Sequence, residues 1–323
     1  MTFDKCSILL DPAAETTRIV SEMRRTVRQV MRRSGAVVGI SGGVDSAVVL
    51  ALAVQAFGAE HVIAVMLPER DSDPASERLA RGLARQFGVE PLLESITAAL
   101  EGFGCYRRRD EAIRRVFPEC DAGAGYKVKI VLPPNLLDEG TLNVFFLTIV
   151  TPQGIELRKP LPAPEVLQIV AASNFKQRTR MAFLYYHAEL HHSAVIGTAN
   201  KHEHDLGFFV KHGDAGVDVN AIGHLYKTQV YQLAEYLNVP EAIRQRPPTS
   251  DTYSAPCDQQ EFFFRLPFET LDLLWYAQEN QVSISEAARV MGLTEAQVRR
   301  AFDDFTPKHR TTQYLRLAPV AIR

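Results

Sequence analysis

The stretch AVVGISGGVDSAVVLALA, residues 36–53, decides the fold of this 323-residue chain. Its first five residues form a continuous apolar run typical of a buried strand, and an apolar helical pattern begins at about residue 44. Between them stand Ser, Gly and Gly, which allow backbone N–H groups to approach an anion closely at a helix N-terminus. The stretch therefore predicts a strand, an anion-binding turn and a helix in succession.

The same alternation of short apolar runs and helical patterns continues outward from this stretch. Strands that alternate with helices form βαβ units, in which buried strands pair in parallel. The predicted fold class is therefore α/β, a doubly wound parallel sheet. Further buried strands are predicted at 61–68, 90–96 and 193–200, and helices at 15–33, 44–57, 73–88, 164–192 and 226–240.

A different pattern interrupts this alternation at about 101–165. Three apolar runs separated by Pro, Gly, Asn and Asp predict an inserted small antiparallel β segment. From about 265 to 323 the sequence predicts a helical C-terminal part, and we expect the whole chain, 1–323, to form a single domain. The arginines just before the inserted strands are predicted to be mostly a solvated or partner-facing stripe: Arg107, Arg108, Arg109, Arg114 and Arg115.

Composition argues against several classes of protein. The net charge is −2, with 23% charged and 46% hydrophobic residues, so the chain has no bulk signature of a nucleic-acid-binding or membrane protein. The longest apolar stretch, 47–57, is too short to span a bilayer. The four cysteines are scattered without a C-x-x-C pair, which predicts free thiols, a cytoplasmic location and no zinc site.

The glycine-rich turn differs from the common nucleotide-binding loops. It has neither the lysine of the G-x-x-x-x-G-K-[ST] loop nor the spacing G-x-G-x-x-G. Ser41 and Ser46 add hydroxyl donors for a phosphate, but the carboxylate of Asp45 would repel it. A Mg²⁺ ion between carboxylate and phosphate would resolve this repulsion. The alternative is a tight turn in which Asp45 is only a carboxylate at a helix start.

The sequence SGGVDS, residues 41–46, resembles the pyrophosphate-binding loop of the ATP pyrophosphatases. Four later segments, in the same order, are similar to ammonia-dependent NAD synthetase: 174–189, 195–219, 222–240 and 246–253. The resemblance implies an adenine-nucleotide α-hydrolase-like fold, ATP as co-substrate and Mg²⁺ as the metal. It also implies a homodimer whose interface helps to build the dinucleotide site.

The resemblance also assigns roles to individual residues. It implies that Asp45 and Glu203 bind Mg²⁺, a cation that prefers carboxylates and phosphate oxygens. The implied catalytic residues are Asp45, Lys211 and Lys227. The implied contacts to ATP and pyrophosphate are Ser41, Gly42, Gly43, Asp45, Ser46, Thr198, Lys227 and Thr249, and those to the substrate are Asn174, Arg178, Lys211 and Asp214.

The reaction that the resemblance implies is the formation of an amide. The carboxylate of deamido-NAD attacks the α-phosphate of ATP, and pyrophosphate leaves. Ammonia then attacks the acyl adenylate, and AMP departs. The ammonia is free or is supplied by a separate glutaminase.

Two departures from the family leave an alternative open. Ordinary short NAD synthetases lack the insertion at about 101–165. The acidic loop that usually follows Thr249 is replaced by SDTYSAPCDQQEFFF, 250–264, which ends in an apolar patch. The alternative is a divergent relative that amidates a different carboxylic acid by the same chemistry.

Functions of other classes fit less well. A tRNA-thiolating enzyme would need paired cysteines and a basic face, and a catalytically inactive scaffold need not retain the carboxylates and lysines named above. Segment 283–305 resembles a helix-turn-helix, but its second helix carries only Arg299 and Arg300 as bases. A packed helical hairpin is therefore predicted, and no nucleic-acid partner is expected. His202 and His204 stay unassigned, because histidines two positions apart do not share a helix face.

Overall fold

The computed structural model of the protein describes residues 3–133, 136–138, 144–249 and 252–322. The strands in these residues are β1 (Ala36–Gly39), β2 (Val62–Met66), β3 (Leu92–Leu93), β4 (Lys127–Val131), β5 (Phe146–Val150), β6 (Glu156–Pro160), β7 (Ala194–Gly197) and β8 (Val219–Asn220). The helices are α1 (Pro12–Arg24), α2 (Val44–Phe57), α3 (Pro74–Gln86), α4 (Thr97–Gly102), α5 (Cys105–Val116), α6 (Ala163–Leu190), α7 (Lys201–Leu206), α8 (Lys227–Tyr236), α9 (Glu241–Arg244), α10 (Phe268–Glu279), α11 (Ile284–Met291), α12 (Glu295–Thr311) and α13 (Gln313–Arg316).

The central sheet contains five parallel strands in the order β3-β2-β1-β7-β8. The chain runs outward from β1 to β2 and β3, and later adds β7 and β8 on the other side of β1. The loops that follow β1 and β7 therefore emerge side by side at the carboxyl edge of the sheet. This is the point at which open α/β sheets form a crevice for ligands.

Alternate residues of β1 point to opposite faces of the sheet. Ala36 and Val38 belong to a buried cluster with residues of α1, α2 and α8, whereas Val37 belongs to a second cluster with residues of α4, α5 and α6. Helices thus cover both faces, and strands buried on both faces need the continuous apolar runs seen in the sequence. The predicted α/β class with a doubly wound parallel sheet is confirmed.

The inserted antiparallel segment is confirmed as a three-stranded sheet in the order β4-β5-β6. Its apolar face packs on α5 and α6, where Ile130 and Ile149 share a cluster with Ile113 and Ile169. The Arg-rich region before it forms the helices α4 and α5. The insertion is therefore anchored on the second face of the main domain by a helix as well as by its strands.

The predicted arginine stripe on α5 holds for four of its five members, which are exposed. It is wrong for Arg109, which is only 1% exposed. The guanidinium of Arg109 donates to Asp71 at 2.5 Å and to Asp110 at 2.9 Å. Because Asp71 lies 38 positions earlier in the chain, helical spacing alone did not reveal this buried ion pair.

The C-terminal part is helical, as predicted, and α11 and α12 form a packed hairpin against α10. Ala287 of α11 and Val298 of α12 lie in one buried cluster with Leu271 and Trp275 of α10. The apolar faces of the hairpin are thus used in packing. Across the described residues, no helix has both the length and the apolar character needed to cross a membrane.

Candidate active site

The turn between β1 and α2 is held in shape by its own hydrogen bonds. The Ser46 hydroxyl donates to the Gly43 carbonyl at 3.0 Å and lies 3.3 Å from the Ser41 backbone nitrogen, from which it accepts. Gly42 has a φ of +75°, and a Cβ at this position would lie 2.6 Å from the carbonyl oxygen of Ser76 on α3. Glycine is therefore required here by both conformation and space.

Asn200 joins the two carboxylates that the sequence assigned to Mg²⁺. Asp45 stands in the first turn of α2 and Glu203 in the first turn of α7. The buried Asn200 side chain donates to Asp45 Oδ1 at 3.2 Å, and its backbone N–H donates to Glu203 Oε2 at 3.2 Å. Its side-chain oxygen also accepts from the Glu203 backbone, which makes Asn200 the N-cap of α7.

Lys227, the first residue of α8, is fully buried and forms an ion pair with Asp45. Burial on its own lowers the pKa of a lysine, but the negative charge of Asp45 and the hydrogen bond to it overcome this and raise the pKa of Lys227 above its usual value. Lys227 is therefore charged at neutral pH. Its ammonium group supplies a fixed positive charge beside the turn between β1 and α2.

The two carboxylates fit a Mg²⁺ ion that is shared with phosphate oxygens. Burial, together with the negative charge of Asp45, raises the pKa of Glu203 to about 8, so a further cation is needed to favour its ionised form. Among the described residues, no group of three or more His, Cys, Asp or Glu side chains could hold a metal ion by itself. Mg²⁺ is typically bound by one or two carboxylates plus substrate phosphates, which is the donor set available here.

A cavity of about 590 Å³ opens above the carboxyl edge of the central sheet. Its walls come from the turn after β1, the loops after β2 and β7, helix α6, and the segments 207–217, 246–249 and 252–263. Most of its lining is apolar, with a few convergent polar groups, which is typical of a small-molecule site. The predicted site residues that line it are Ser41, Gly43, Asp45, Ser46, Asn174, Thr198, Glu203, Asp214 and Thr249.

Four predicted site residues do not line this cavity. Gly42 and Lys227 lie directly behind lining residues, as described above. Arg178 is exposed on α6. Lys211 is directed to the C-terminal segment, where its ammonium donates to the carbonyls of Tyr314 at 2.9 Å and Leu317 at 3.0 Å.

Several polar residues of the cavity were not identified from the sequence. Arg180 lines it and donates to the carbonyl of Leu67 at 3.3 Å, and Arg246 lines it and donates to Ser76 at 2.9 Å. Arg180 could have been found by helical spacing, because Asn174, Gln177 and Arg180 follow one another at three-residue intervals on α6, and residues three apart are neighbours on a helix surface. Asn200 and Gln259 gave no such signal, since they act by holding other side chains.

The two unassigned histidines do not form a metal site. His202 is fully buried, and its Nε2 lies 2.5 Å from Asp272 Oδ1. Asp272 Oδ2 accepts from both the backbone and the hydroxyl of Thr228, the second residue of α8. His202 therefore ties the helix that carries Glu203 to the helix that carries Lys227. His204 is exposed and lies 3.1 Å from Asp205.

Comparison with known proteins gives a consistent result. A family model described as NAD synthase matches residues 15–114 and 158–313 and leaves out 115–157. The NH(3)-dependent NAD(+) synthetase of Mesorhizobium japonicum is 49% identical over 313 residues, covering 97% of this chain and 97% of the relative. Two solved structures share the fold. The NH3-dependent NAD synthetase from Campylobacter jejuni has a TM-score of 0.63 at 22% identity, covering 98% of this chain and 100% of that one. The NMN synthetase from Francisella tularensis has a TM-score of 0.62 at 20% identity, covering 97% of this chain and 99% of that one.

Proposed function

Because the chain belongs to the NAD synthase family, we propose that it converts deamido-NAD to NAD, with ATP and ammonia as co-substrates. The observation that carries the proposal is the convergence of the glycine turn, Asp45, Glu203 and Lys227 at one edge of one cavity. These groups come from three separate segments of the chain, since Asp45 belongs to the same segment as the glycine turn. Together they offer hydrogen-bond donors, one buried positive charge and two carboxylates, which is what a polyphosphate with its metal requires.

In the proposed reaction, a carboxylate oxygen of the nicotinate ring forms a bond to the α-phosphorus of ATP, and the bond from that phosphorus to pyrophosphate breaks. Ammonia then attacks the carbonyl carbon of the acyl adenylate. The bond from this carbon to the AMP oxygen breaks, and a proton leaves the nitrogen. The products are NAD, AMP and pyrophosphate.

The residues of this chain bind and orient the reactants. The turn from Ser41 to Ser46 would hold the β- and γ-phosphates at the start of α2, and the charge of Lys227 would stabilise the negative charge that develops on the leaving pyrophosphate. When bound by Asp45 and Glu203, Mg²⁺ would neutralise charge on the triphosphate. No nucleophilic side chain is needed, since the substrate carboxylate is itself the nucleophile.

The substrate side of the cavity supports the assignment of several predicted residues. Asn174 and Asp214 line the cavity and would contact deamido-NAD, and Thr198 and Thr249 would contact ATP. We keep Arg178 and Lys211 as proposed substrate-binding residues. In the homodimer that we also propose, the exposed Arg178 would be available to a substrate bound at the interface.

We further propose that the nitrogen donor is free ammonia and that the protein works in the cytoplasm. The four cysteines are all free thiols, which suits a reducing compartment. One observation supports the alternative that the acceptor is a different carboxylic acid. The aromatic side chains of Phe262 and Phe263 line the cavity where the family usually has acidic residues.

A comparison of acceptors tests the proposal. Purified protein with ATP, Mg²⁺ and ammonium is given deamido-NAD, nicotinic acid mononucleotide or nicotinic acid, and the products are identified by mass. We expect amide formation with deamido-NAD at a kcat/KM at least 100-fold above that of the other two acids. If the protein prefers another acid, the proposed acceptor is wrong but the adenylation chemistry stands. If no AMP forms with any of the acids, the proposal is contradicted.

A further inference from the structure

The insertion and the altered loop after Thr249, which are the two departures from the family, contact each other directly. We name residues 252–264 the cover segment, because its side chains of Tyr253, Gln259, Phe262 and Phe263 line one wall of the cavity. The outer side of this segment lies along β4, which is one edge strand of the inserted sheet; β6 is the other edge strand.

The backbone of the cover segment is hydrogen-bonded to the free edge of β4. The Ala255 N–H donates to the Val128 carbonyl at 3.0 Å, and the Val128 N–H donates to the Ser254 hydroxyl at 3.0 Å. Further along, the Leu132 N–H donates to the Glu261 carbonyl at 3.2 Å. These bonds extend over the length of β4, so the segment is attached to the inserted sheet almost as an additional strand would be.

A charged pair strengthens this attachment. The Lys129 ammonium on β4 lies 3.1 and 3.2 Å from the two carboxylate oxygens of Glu261. The Lys129 side chain is only 11% exposed. An ion pair with one partner largely shielded from water, and with both oxygens engaged, is worth more than a fully exposed surface pair.

The inner side of the cover segment contacts the metal-binding carboxylate. The amide nitrogen of Gln259 donates to Glu203 Oε1 at 3.1 Å. Gln259 is buried, and among the described residues its side-chain oxygen has no hydrogen-bond partner. The amide is thus held on one side only, and its position depends on where the backbone of the cover segment lies.

We propose that β4 of the insertion is the support that fixes the cover segment, and that Gln259 is a positioning residue which orients Glu203 for the reaction. This proposal rests on the proposed function for the identity of the reaction. The strands β4 and β5 of the insertion fall in residues 115–157, which the family model leaves out, so the support is an addition to the common scaffold. Lys129 and Ser254 act through the cover segment and do not line the cavity.

The chain offers a matched control for a substitution on β4. Lys129 pairs in register with Thr148 of β5, which pairs in turn with Arg158 of β6, so Lys129 and Arg158 occupy the same row at opposite edges of one sheet. Arg158 stacks over the Phe146 ring at 4.2 Å, away from the cover segment. The double variant Lys129→Met/Ser254→Ala removes the side-chain contacts of the attachment and leaves its two backbone hydrogen bonds, and Arg158→Met removes a positive charge from the far edge.

The experiment measures hydrogen exchange of peptides from 253–263 and the steady-state kinetics of NAD formation for each variant. We expect the double variant to show at least fivefold faster exchange in these peptides and a kcat lowered about tenfold, because misplacement of a group at a reacting centre is costly. Gln259→Leu should lower kcat to a similar extent with little change in exchange, and Arg158→Met should change neither. The charge-swapped pair Lys129→Glu/Glu261→Lys should recover most of the activity that Lys129→Glu alone loses.

Faster exchange with an unchanged kcat in the double variant would overturn the proposal, and so would an equal loss of activity in Arg158→Met. If the wild-type protein makes no NAD, the proposed function fails, and the positioning proposal is then decided by calorimetry with ATP and Mg²⁺. The double variant and Gln259→Leu should bind ATP with Mg²⁺ at least fivefold more weakly than the wild-type protein. Equal affinities would overturn the positioning role.

Discussion

Lys227 and Asp45 lie 182 positions apart in the chain and form an ion pair at the edge of the cavity. The lysine is fully buried, whereas the aspartate side chain keeps 17% exposure toward the site. The pair joins the first turn of α8 to the first turn of α2. A single contact thus supports the fold and places a positive charge beside the turn that we propose binds phosphate.

Asp45→Asn should lower NAD formation at least 100-fold, because it removes one of the two carboxylates that we propose bind Mg²⁺. It should also lower the free energy of unfolding by about 3 kcal/mol, since it leaves the buried Lys227 without its ionised partner. Urea denaturation and a coupled NAD assay measure the two effects. The control is Asp45→Asn/Lys227→Met, which we expect to be as inactive but more stable than Asp45→Asn alone. A single variant with wild-type activity would contradict the assignment of Asp45.

Gly42→Ala should abolish tight ATP binding and destabilise the protein by about 1–3 kcal/mol. The added Cβ would meet the Ser76 carbonyl, and the positive φ is strained for alanine. Gly82→Ala is the matched control, because Gly82 lies within α3 and a Cβ there meets nothing within 4 Å. We expect this control to gain about 0.5–1 kcal/mol and to bind ATP normally by calorimetry. Equal behaviour of the two variants would be inconsistent with the tight turn.

Asp272→Ala should destabilise the protein by about 3 kcal/mol, because it leaves His202 and Thr228 without their buried acceptor. It should also lower kcat, since Asp272 connects the helices that carry Glu203 and Lys227. Thr228→Val is the milder comparison, because it removes only the hydroxyl bond and keeps the backbone bond to Asp272. We expect it to cost about 1 kcal/mol with nearly normal kcat. A fully active Asp272→Ala would show that the connection does not affect the site.

The pH dependence of stability should reveal the buried pairs of Asp71. Burial by itself raises the pKa of this carboxyl, but Lys176 and Arg109 outweigh it and lower the pKa from 3.8 to about 2. A carboxyl with a lowered pKa in the folded state stabilises the protein above its unfolded pKa and loses this contribution as the pH falls from about 4 to 2. The contribution is about 2 kcal/mol.

Urea denaturation between pH 6 and pH 3 of the wild-type protein and of Asp71→Asn measures this contribution. The difference in stability between the two proteins should be largest above pH 4 and should shrink as the pH falls further. A difference that is constant over this range would show that Asp71 is not ionised against Lys176 and Arg109 in the folded protein. Asp110→Asn serves as the comparison, because Asp110 contacts the same arginine but is more exposed.

The sequence predicted the central sheet well because strands buried on both faces must be apolar at every position. The strand at 36–40 and the helix at 44–57 could therefore be predicted without any knowledge of distant contacts. The turn between them could also be predicted, since two glycines just before a helix start indicate a tight turn in which the backbone is closely approached. The prediction of the first helix, 15–33, was less accurate. The α-helix begins at Pro12, and the residues that continue it, Arg25–Val30, are π-helical.

The parts that the sequence did not predict depend on contacts between distant segments. Arg109 was expected to be solvated, and its burial is explained by its ion pairs with Asp110 and with the distant Asp71, beside which lie Lys176 and Glu69. Gln259 reaches Glu203 only because the cover segment folds back along the inserted sheet. Such residues carry no local pattern of their own, and their roles become visible only when the backbone positions are known.

Isotope labelling tests most directly whether the substrate carboxylate is adenylated, because adenylation transfers one of its oxygen atoms to AMP. Deamido-NAD labelled with ¹⁸O in its carboxylate is incubated with the wild-type protein, ATP, Mg²⁺ and ammonium, and AMP, pyrophosphate and NAD are analysed by mass. With both carboxylate oxygens labelled, we expect one labelled oxygen in AMP for each NAD formed, no label in pyrophosphate, and at least 100-fold less turnover with Asp45→Asn. Unlabelled AMP, or ADP and phosphate in its place, would contradict adenylation of the substrate carboxylate.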